Sequence, residues 1–246
     1  MNFLGREINT VLFDKDGTIL DFPSIWIPWV DDLSEYIRSN LPECSLTKKE
    51  LRKVFGAGEE DNSIDPKSPL AIANMEESKI ILAYKIYENG LPWDLAVFHA
   101  NESVNYANER QNSSISIKLI DGIKELLEKF KENNVKLGVL TADDTEKAKC
   151  HLKKVGVENY FDFVIGSDQV LNGKPYPDLV YLASDRFGFS LSETMLIGDT
   201  NADIQLGKNA GINFTVGIVS YAKNTDHLID ADLIIHSYKE LMDIGQ

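Results

Sequence analysis

Val11-Leu12-Phe13-Asp14-Lys15-Asp16-Gly17-Thr18 sets a short apolar run directly against two carboxylates two residues apart. The run reads as a buried strand. Gly17 permits a sharp backbone turn just after it, so the acids are expected at the carboxyl end of a strand rather than in a tail. Two carboxylates confined together repel each other unless one keeps a proton or a cation lies between them. Read alone, Asp16-Gly17 is also an ordinary loop signal.

Two further apolar runs end in the same way. Lys136-Leu137-Gly138-Val139-Leu140 stops at Thr141, and Thr194-Met195-Leu196-Ile197-Gly198 stops at Asp199. In an open α/β sheet, ligands bind outside the carboxyl ends of the strands, so these three ends define one candidate pocket. Gly173-Lys174-Pro175-Tyr176-Pro177-Asp178 lies between them. Its two prolines fix a loop before a helix and hold Lys174 at its start.

These four motifs, in this order, resemble the haloacid dehalogenase superfamily of phosphohydrolases. The family pattern is Asp-x-Asp-Gly-Thr, a Ser or Thr after the second strand, a Lys before a Pro, and Gly-Asp-x-x-x-Asp. Here it is matched by Asp14 to Thr18, by Thr141, by Lys174, and by Gly198 to Asp203. The tract from Asp121 to Thr141 is also similar to the family's core helix and strand. The likeness covers residues 1–20 and about 116–246.

Composition agrees with an enzyme of this kind. With 246 residues, 43% hydrophobic and 26% charged, the chain can bury one large core, or a core and a smaller module. A net charge of −14 argues against a nucleic-acid backbone as partner. Cys44 and Cys150 show no metal-type spacing, and no basic stretch followed by an apolar run opens the chain, so a reducing cytoplasm is expected. No apolar run approaches transmembrane length, so no membrane is expected as partner.

Between the first strand and the rest, residues 21–115 show helical periodicity without strand-like runs. Helices are expected over 26–38, 47–55, 70–89 and 93–111, the second opened by a capping-box pattern of Thr47 and Glu50. This four-helix insertion resembles the family's helical cap. The remaining segment alternates helix and strand, which predicts parallel strands with right-handed crossovers. The fold class is thus α/β: a Rossmann-like doubly wound parallel core at 1–20 and 116–246, with an inserted all-helical cap at 21–115.

The resemblance implies a role for each matching residue. Asp14 matches the nucleophile that forms an aspartyl phosphate, and Asp16 the general acid and base. Thr141 and Lys174 match the phosphate-binding positions. Asp199 and Asp203, together with Asp14 and the main-chain carbonyl of Asp16, match the metal ligands. With no His or Cys at ligand spacing, Mg²⁺ suits these oxygens better than Zn²⁺. The implied activity is Mg²⁺-dependent hydrolysis of a small phosphorylated metabolite, in the manner of capped phosphoglycolate-phosphatase-like enzymes. A phosphomutase using the same Asp14 and Asp16 is the competing reading. A non-catalytic phosphate-binding regulator ranks lower, because no catalytic motif is missing.

Other conspicuous residues read as structural. Asp203 alone is a first-turn helix acid, Lys174 alone a loop lysine, and Thr141 alone an N-cap. Ser167 and Asp168 read as loop and cap residues, and His99, His151, His227 and His236 as surface or helix residues. Gly56-Ala57-Gly58 reads as a helix end, and Trp26, Trp29 and Trp93 as cap core. The turn-rich 56–68 stretch is long for a helix connection and is the expected substrate-discriminating loop. Lys15 leaves two readings open, a positive charge near phosphate or a solvent-facing side chain.

Overall fold

The computed structural model describes residues 1–59, 61–114 and 117–245, so the expected domain junction at 115–116 lies outside the described residues. The chain divides into two compact units, Met1–Phe22 with Ile117–Gln246, and Pro23–Ser116.

A small hairpin of β1 (Asn2–Phe3) and β2 (Arg6–Glu7) precedes β3 (Thr10–Phe13). Helices α1 (Phe22–Asn40), α2 (Lys48–Phe55), α3 (Pro69–Ile72), α4 (Met75–Glu88) and α5 (Trp93–Ser114) follow. The chain then alternates through α6 (Ile123–Glu132), β4 (Lys136–Thr141), α7 (Thr145–Lys154), β5 (Phe163–Gly166) and α8 (Asp178–Phe187). It ends with β6 (Thr194–Gly198), α9 (Asn201–Ala210), β7 (Phe214–Ile218), β8 (Leu233–Ile235) and α10 (Tyr238–Ile244).

In the first unit, β3 to β8 form one sheet in the order β5-β4-β3-β6-β7-β8, parallel throughout. This is the doubly wound parallel sheet expected from the alternation of helix and strand. Strands β3, β4, β6 and β7 are buried on both faces, which is why they read as continuous apolar runs rather than alternating ones. On one face Leu12, Leu140 and Leu196 meet Leu179 and Val180 of α8 and Leu206 of α9. On the other, Phe13 packs edge-on against Phe130 of α6, with ring centroids 6.3 Å apart. The chain runs outward from β3 through β4 to β5, then crosses to β6 on the far side of β3. The strand order therefore reverses beside β3, where an open α/β sheet leaves a crevice at its carboxyl edge.

The second unit is helical. Trp29 is buried and packs edge-on against Trp26 and Phe55, with centroids at 5.4 and 5.9 Å. Trp93, expected in this core, is instead half-exposed. The expected helix at 70–89 is two helices. Asn74 opens a capping box of its own: it accepts from the Glu77 N–H at 2.9 Å, and the Glu77 carboxylate accepts from the Asn74 N–H at 2.8 Å. α2 ends, as expected, at Gly56, which adopts a left-handed φ of 80°. The stretch after it folds back through a bridge between Ala57 and Ile64. The Arg52 guanidinium grips Asp31 with two bonds of 2.8 Å and donates to Gly58 O at 3.2 Å, tying the stretch to α1 and α2.

Candidate active site

Asp14 leaves β3 still paired, its N–H donating to Ile197 O of β6 at 2.9 Å. The turn that follows requires glycine twice over. Gly17 has φ +92°, and a Cβ there would lie 2.3 Å from Asp199 Oδ2. The chain closes the turn with Leu20 N–H donating to Lys15 O at 2.9 Å. Asp199 thus lies directly against the first motif, and Thr18 Oγ1 donates to its Oδ1 at 3.0 Å.

The carboxylate oxygens of Asp14, Asp199 and Asp203 lie within 4.8 Å of one another. Lys174 bridges two of them, bonding Asp14 and reaching Asp203 Oδ1 at 2.6 Å. Asn209 of α9 steadies the lysine loop by donating to Pro175 O at 2.9 Å. The other oxygen of Asp203 accepts from the Thr200 N–H at 3.0 Å and the Thr200 hydroxyl at 2.6 Å. Asp203 is therefore both a first-turn helix acid and a member of the cluster. Gly198 lets it come so close, since a Cβ at 198 would lie 2.2 Å from the Asp203 Cβ.

Burial dominates the electrostatics. It lifts the Asp14 carboxyl to about 7; Lys174 opposes the rise, while Asp203 and Asp16 add to it. Burial also drives Asp199 well above the ordinary carboxylate range, with Asp14 and Asp203 adding to the effect. Burial pulls the Lys174 ammonium down, but Asp14 and Asp203 outweigh it and the net shift is upward. Fully ionised, three clustered carboxylates and one paired ammonium would leave two negative charges in excess, a state that burial disfavours unless a cation joins them. An all-oxygen donor set with that surplus fits a hard divalent cation such as Mg²⁺.

Thr141 ends β4 fully enclosed, and its Oγ1 accepts from the Asp143 N–H at 3.1 Å, which leaves the hydroxyl proton for another acceptor. Thr141 does not cap the next helix. Asp168 does so, taking the Thr145 N–H at 2.8 Å and its hydroxyl at 2.7 Å.

The solvent-facing reading of Lys15 does not hold. Its side chain is wholly buried, and its ammonium bonds Asp143, lies 3.2 Å from Asp16 Oδ2 and 3.3 Å from His151 Nδ1. Burial lowers its pKa, but Asp143 and Asp16 outweigh burial and the net shift is upward. Burial raises the Asp16 carboxyl, with Lys15 pulling the other way. His151 is a helix residue, within α7, but a buried one, and burial lowers its pKa to about 3 with Lys15 assisting.

Four residues beyond the motifs complete the surroundings. Tyr221 OH donates to Asp199 Oδ2 at 2.8 Å, and Ser220 Oγ donates to Gly17 O at 2.6 Å. His227, also buried rather than at a surface, meets the Asp199 carbonyl through Nε2 at 3.0 Å. Since a carbonyl only accepts, that nitrogen carries the proton. Tyr238 OH donates to Thr18 O. Ser220 and Tyr221 follow closely on β7, the strand beside β6, so the strand-end rule that found Asp199 points to them as well.

Residues 11–217 match the family described as haloacid dehalogenase-like hydrolase. The chain is 27% identical to the "Probable phosphatase IndB" of Dickeya dadantii, across 94% of this chain and 91% of that protein. It is 26% identical to the pyrophosphatase PpaX of Halalkalibacterium halodurans, across 97% of each. The crystal structure of a predicted phosphoglycolate phosphatase from Haemophilus somnus superposes with a TM-score of 0.72 at 21% identity, over 97% of this chain and 98% of that one, and so shares the fold.

Proposed function

The chain belongs to the haloacid dehalogenase-like hydrolases, and from that membership we propose that it is a Mg²⁺-dependent phosphatase acting on a small phosphomonoester through an aspartyl phosphate. The observation that carries the reading is the gathering of Asp14, Asp199, Asp203 and Lys174 at adjoining strand ends, where the single ammonium joins Asp14 to Asp203. Relatives named as phosphatases over almost the whole chain support it.

Asp14 attacks phosphorus, and as the new Asp14–phosphorus bond forms the bond to the leaving oxygen breaks. Asp16 delivers its proton to that oxygen, then takes one from the water that attacks the aspartyl phosphate and frees inorganic phosphate. Lys174 offsets the charge between Asp14 and the incoming phosphoryl group, and the Thr141 hydroxyl donates to a phosphoryl oxygen. Mg²⁺ held by Asp14, Asp199, Asp203 and the Asp16 carbonyl would supply further charge stabilisation to the transferring group. The large negative net charge, with positive charge met only locally, suits a small substrate better than a nucleic acid. Unpaired Cys44 and Cys150 accord with a reducing cytoplasm.

A panel of phosphorylated metabolites assayed for phosphate release, with Mg²⁺ and with excess chelator, tests the reading. Release is expected only with the cation, and Asp14→Asn should lower kcat about 10⁴-fold or more without altering the circular dichroism. Turnover in excess chelator, or near wild-type turnover by Asp14→Asn, would overturn it. A rearranged ester in place of free phosphate would instead identify a phosphomutase.

A further inference from the structure

The Lys15 ammonium has three N–H donors and no acceptor, and inside the protein each donor needs a partner. Three acceptors surround it: an oxygen of Asp143, Asp16 Oδ2 at 3.2 Å and His151 Nδ1 at 3.3 Å. No donor remains for a phosphate. Because Nδ1 of His151 accepts from an ammonium, that imidazole is neutral and protonated on Nε2. It satisfies Lys15 without adding a charge. Asp143 is secured from its other side, where Lys147 Nζ lies 3.4 Å from Oδ1. The backbone of Lys15 is pinned as well, its carbonyl accepting from Ile19 N at 2.8 Å and Leu20 N at 2.9 Å.

The outcome is visible in Asp16. One of its oxygens is engaged by Lys15, while Oδ1 is buried and has no hydrogen-bond partner among the described residues. A buried carboxylate oxygen without a partner calls for an explanation, and here it belongs to the residue two positions after Asp14. We propose that Lys15 is a positioning residue: it fixes Asp16 through Oδ2 so that Oδ1 alone exchanges the proton with the leaving group and the hydrolytic water.

This rests on the acid–base reading of Asp16, so Asp16→Asn is the reference for the test. Values of kcat/KM are compared for an alkyl ester, glycerol phosphate, whose leaving group needs a proton, and for nitrophenyl phosphate, whose leaving group does not. Lys15→Met alone would strand the buried Asp143 charge, so the variant carries both Lys15→Met and Asp143→Asn. Both Asp16→Asn and the double variant should lower the alkyl-to-aryl ratio, by about 10-fold or more. If Asp16→Asn lowers the ratio and the folded double variant keeps the wild-type value, the positioning role is overturned while the Asp16 reading stands. If Asp16→Asn leaves the ratio unchanged, the Asp16 reading fails and the proposal falls with it. A second measurement does not depend on the folding of the double variant. The Lys15 ammonium should give an exchange-protected ¹H–¹⁵N signal in the wild-type protein that shifts in Asp16→Asn, and a signal unmoved by that substitution would also overturn the proposal.

Discussion

Asp203 has one oxygen on the cap of α9 and the other on Lys174, so the plain reading and the functional one describe two halves of a single carboxylate. Its place was legible because a buried apolar run, Met195-Leu196-Ile197, stops abruptly at polar residues. Lys15, His151 and Tyr221 were not legible, since their meaning lies in partners far along the chain. Lys15 and Asp143, for instance, are 128 positions apart. No local pattern marks such a lysine as buried. His151 leads to a test at this scale. Its folded pKa of about 3 lies below the ordinary histidine value of 6.5, so the unfolded chain binds the extra proton between those two values. Its contribution is complete above pH 6.5 and is lost as pH falls toward 3, at about 1.4 kcal/mol per pH unit inside that window. His151→Gln keeps an acceptor for Lys15 but cannot titrate. Urea unfolding at pH 7.5, 6 and 5 should show the wild-type protein losing stability faster than the variant as pH drops. Parallel losses would mean that His151 does not carry this acid sensitivity.

Elements were readable where one signal dominated the window. Strands β3, β4 and β6 are buried on both faces, so their apolar runs carry no competing helical period. Short pieces gave too little pattern to read: β1 and β2 have two residues each, β8 has three, and α10 has seven. The break between α3 and α4 was hidden for another reason, because apolar and polar residues on either side of Asn74 continue a helical rhythm that the capping box interrupts. The same chemistry at Thr47 is legible because Thr47 with Glu50 three residues on opens an apolar-periodic run instead of interrupting one. Asn74→Ala removes the side-chain acceptor for Glu77 N–H. It should cost about 1 kcal/mol in urea unfolding, comparable with Thr47→Ala at the start of α2, and should leave phosphate release from nitrophenyl phosphate unchanged. A loss below about 0.3 kcal/mol would place the two helices in a continuous alternative that needs no cap.

At the scale of the whole molecule, the chain carries a net charge of −14, and three of its acids, Asp14, Asp199 and Asp203, meet in one buried cluster. Folding brings these carboxylates together, whereas the unfolded chain keeps them apart, so a cation that binds only the folded arrangement should raise the melting temperature. At a Mg²⁺ concentration 100 times Kd the gain is about 2.7 kcal/mol, which for a chain of this size means a rise of roughly 5–10 °C. The two strand-end acids should then part company. Asp199 accepts from the Thr18 and Tyr221 hydroxyls and has no cationic partner among the described residues, so Asp199→Asn relieves repulsion and should melt no lower than wild type in chelator. Asp203 pairs with Lys174 and caps α9, so Asp203→Asn should melt lower than wild type in chelator. Both variants should lose most of the Mg²⁺-dependent rise. Differential scanning calorimetry of the three proteins, with Mg²⁺ or with K⁺ at matched ionic strength, reads all of these shifts. An equal rise with K⁺ would reduce the effect to ionic screening, and a full Mg²⁺ rise in both variants would remove Asp199 and Asp203 from the metal site.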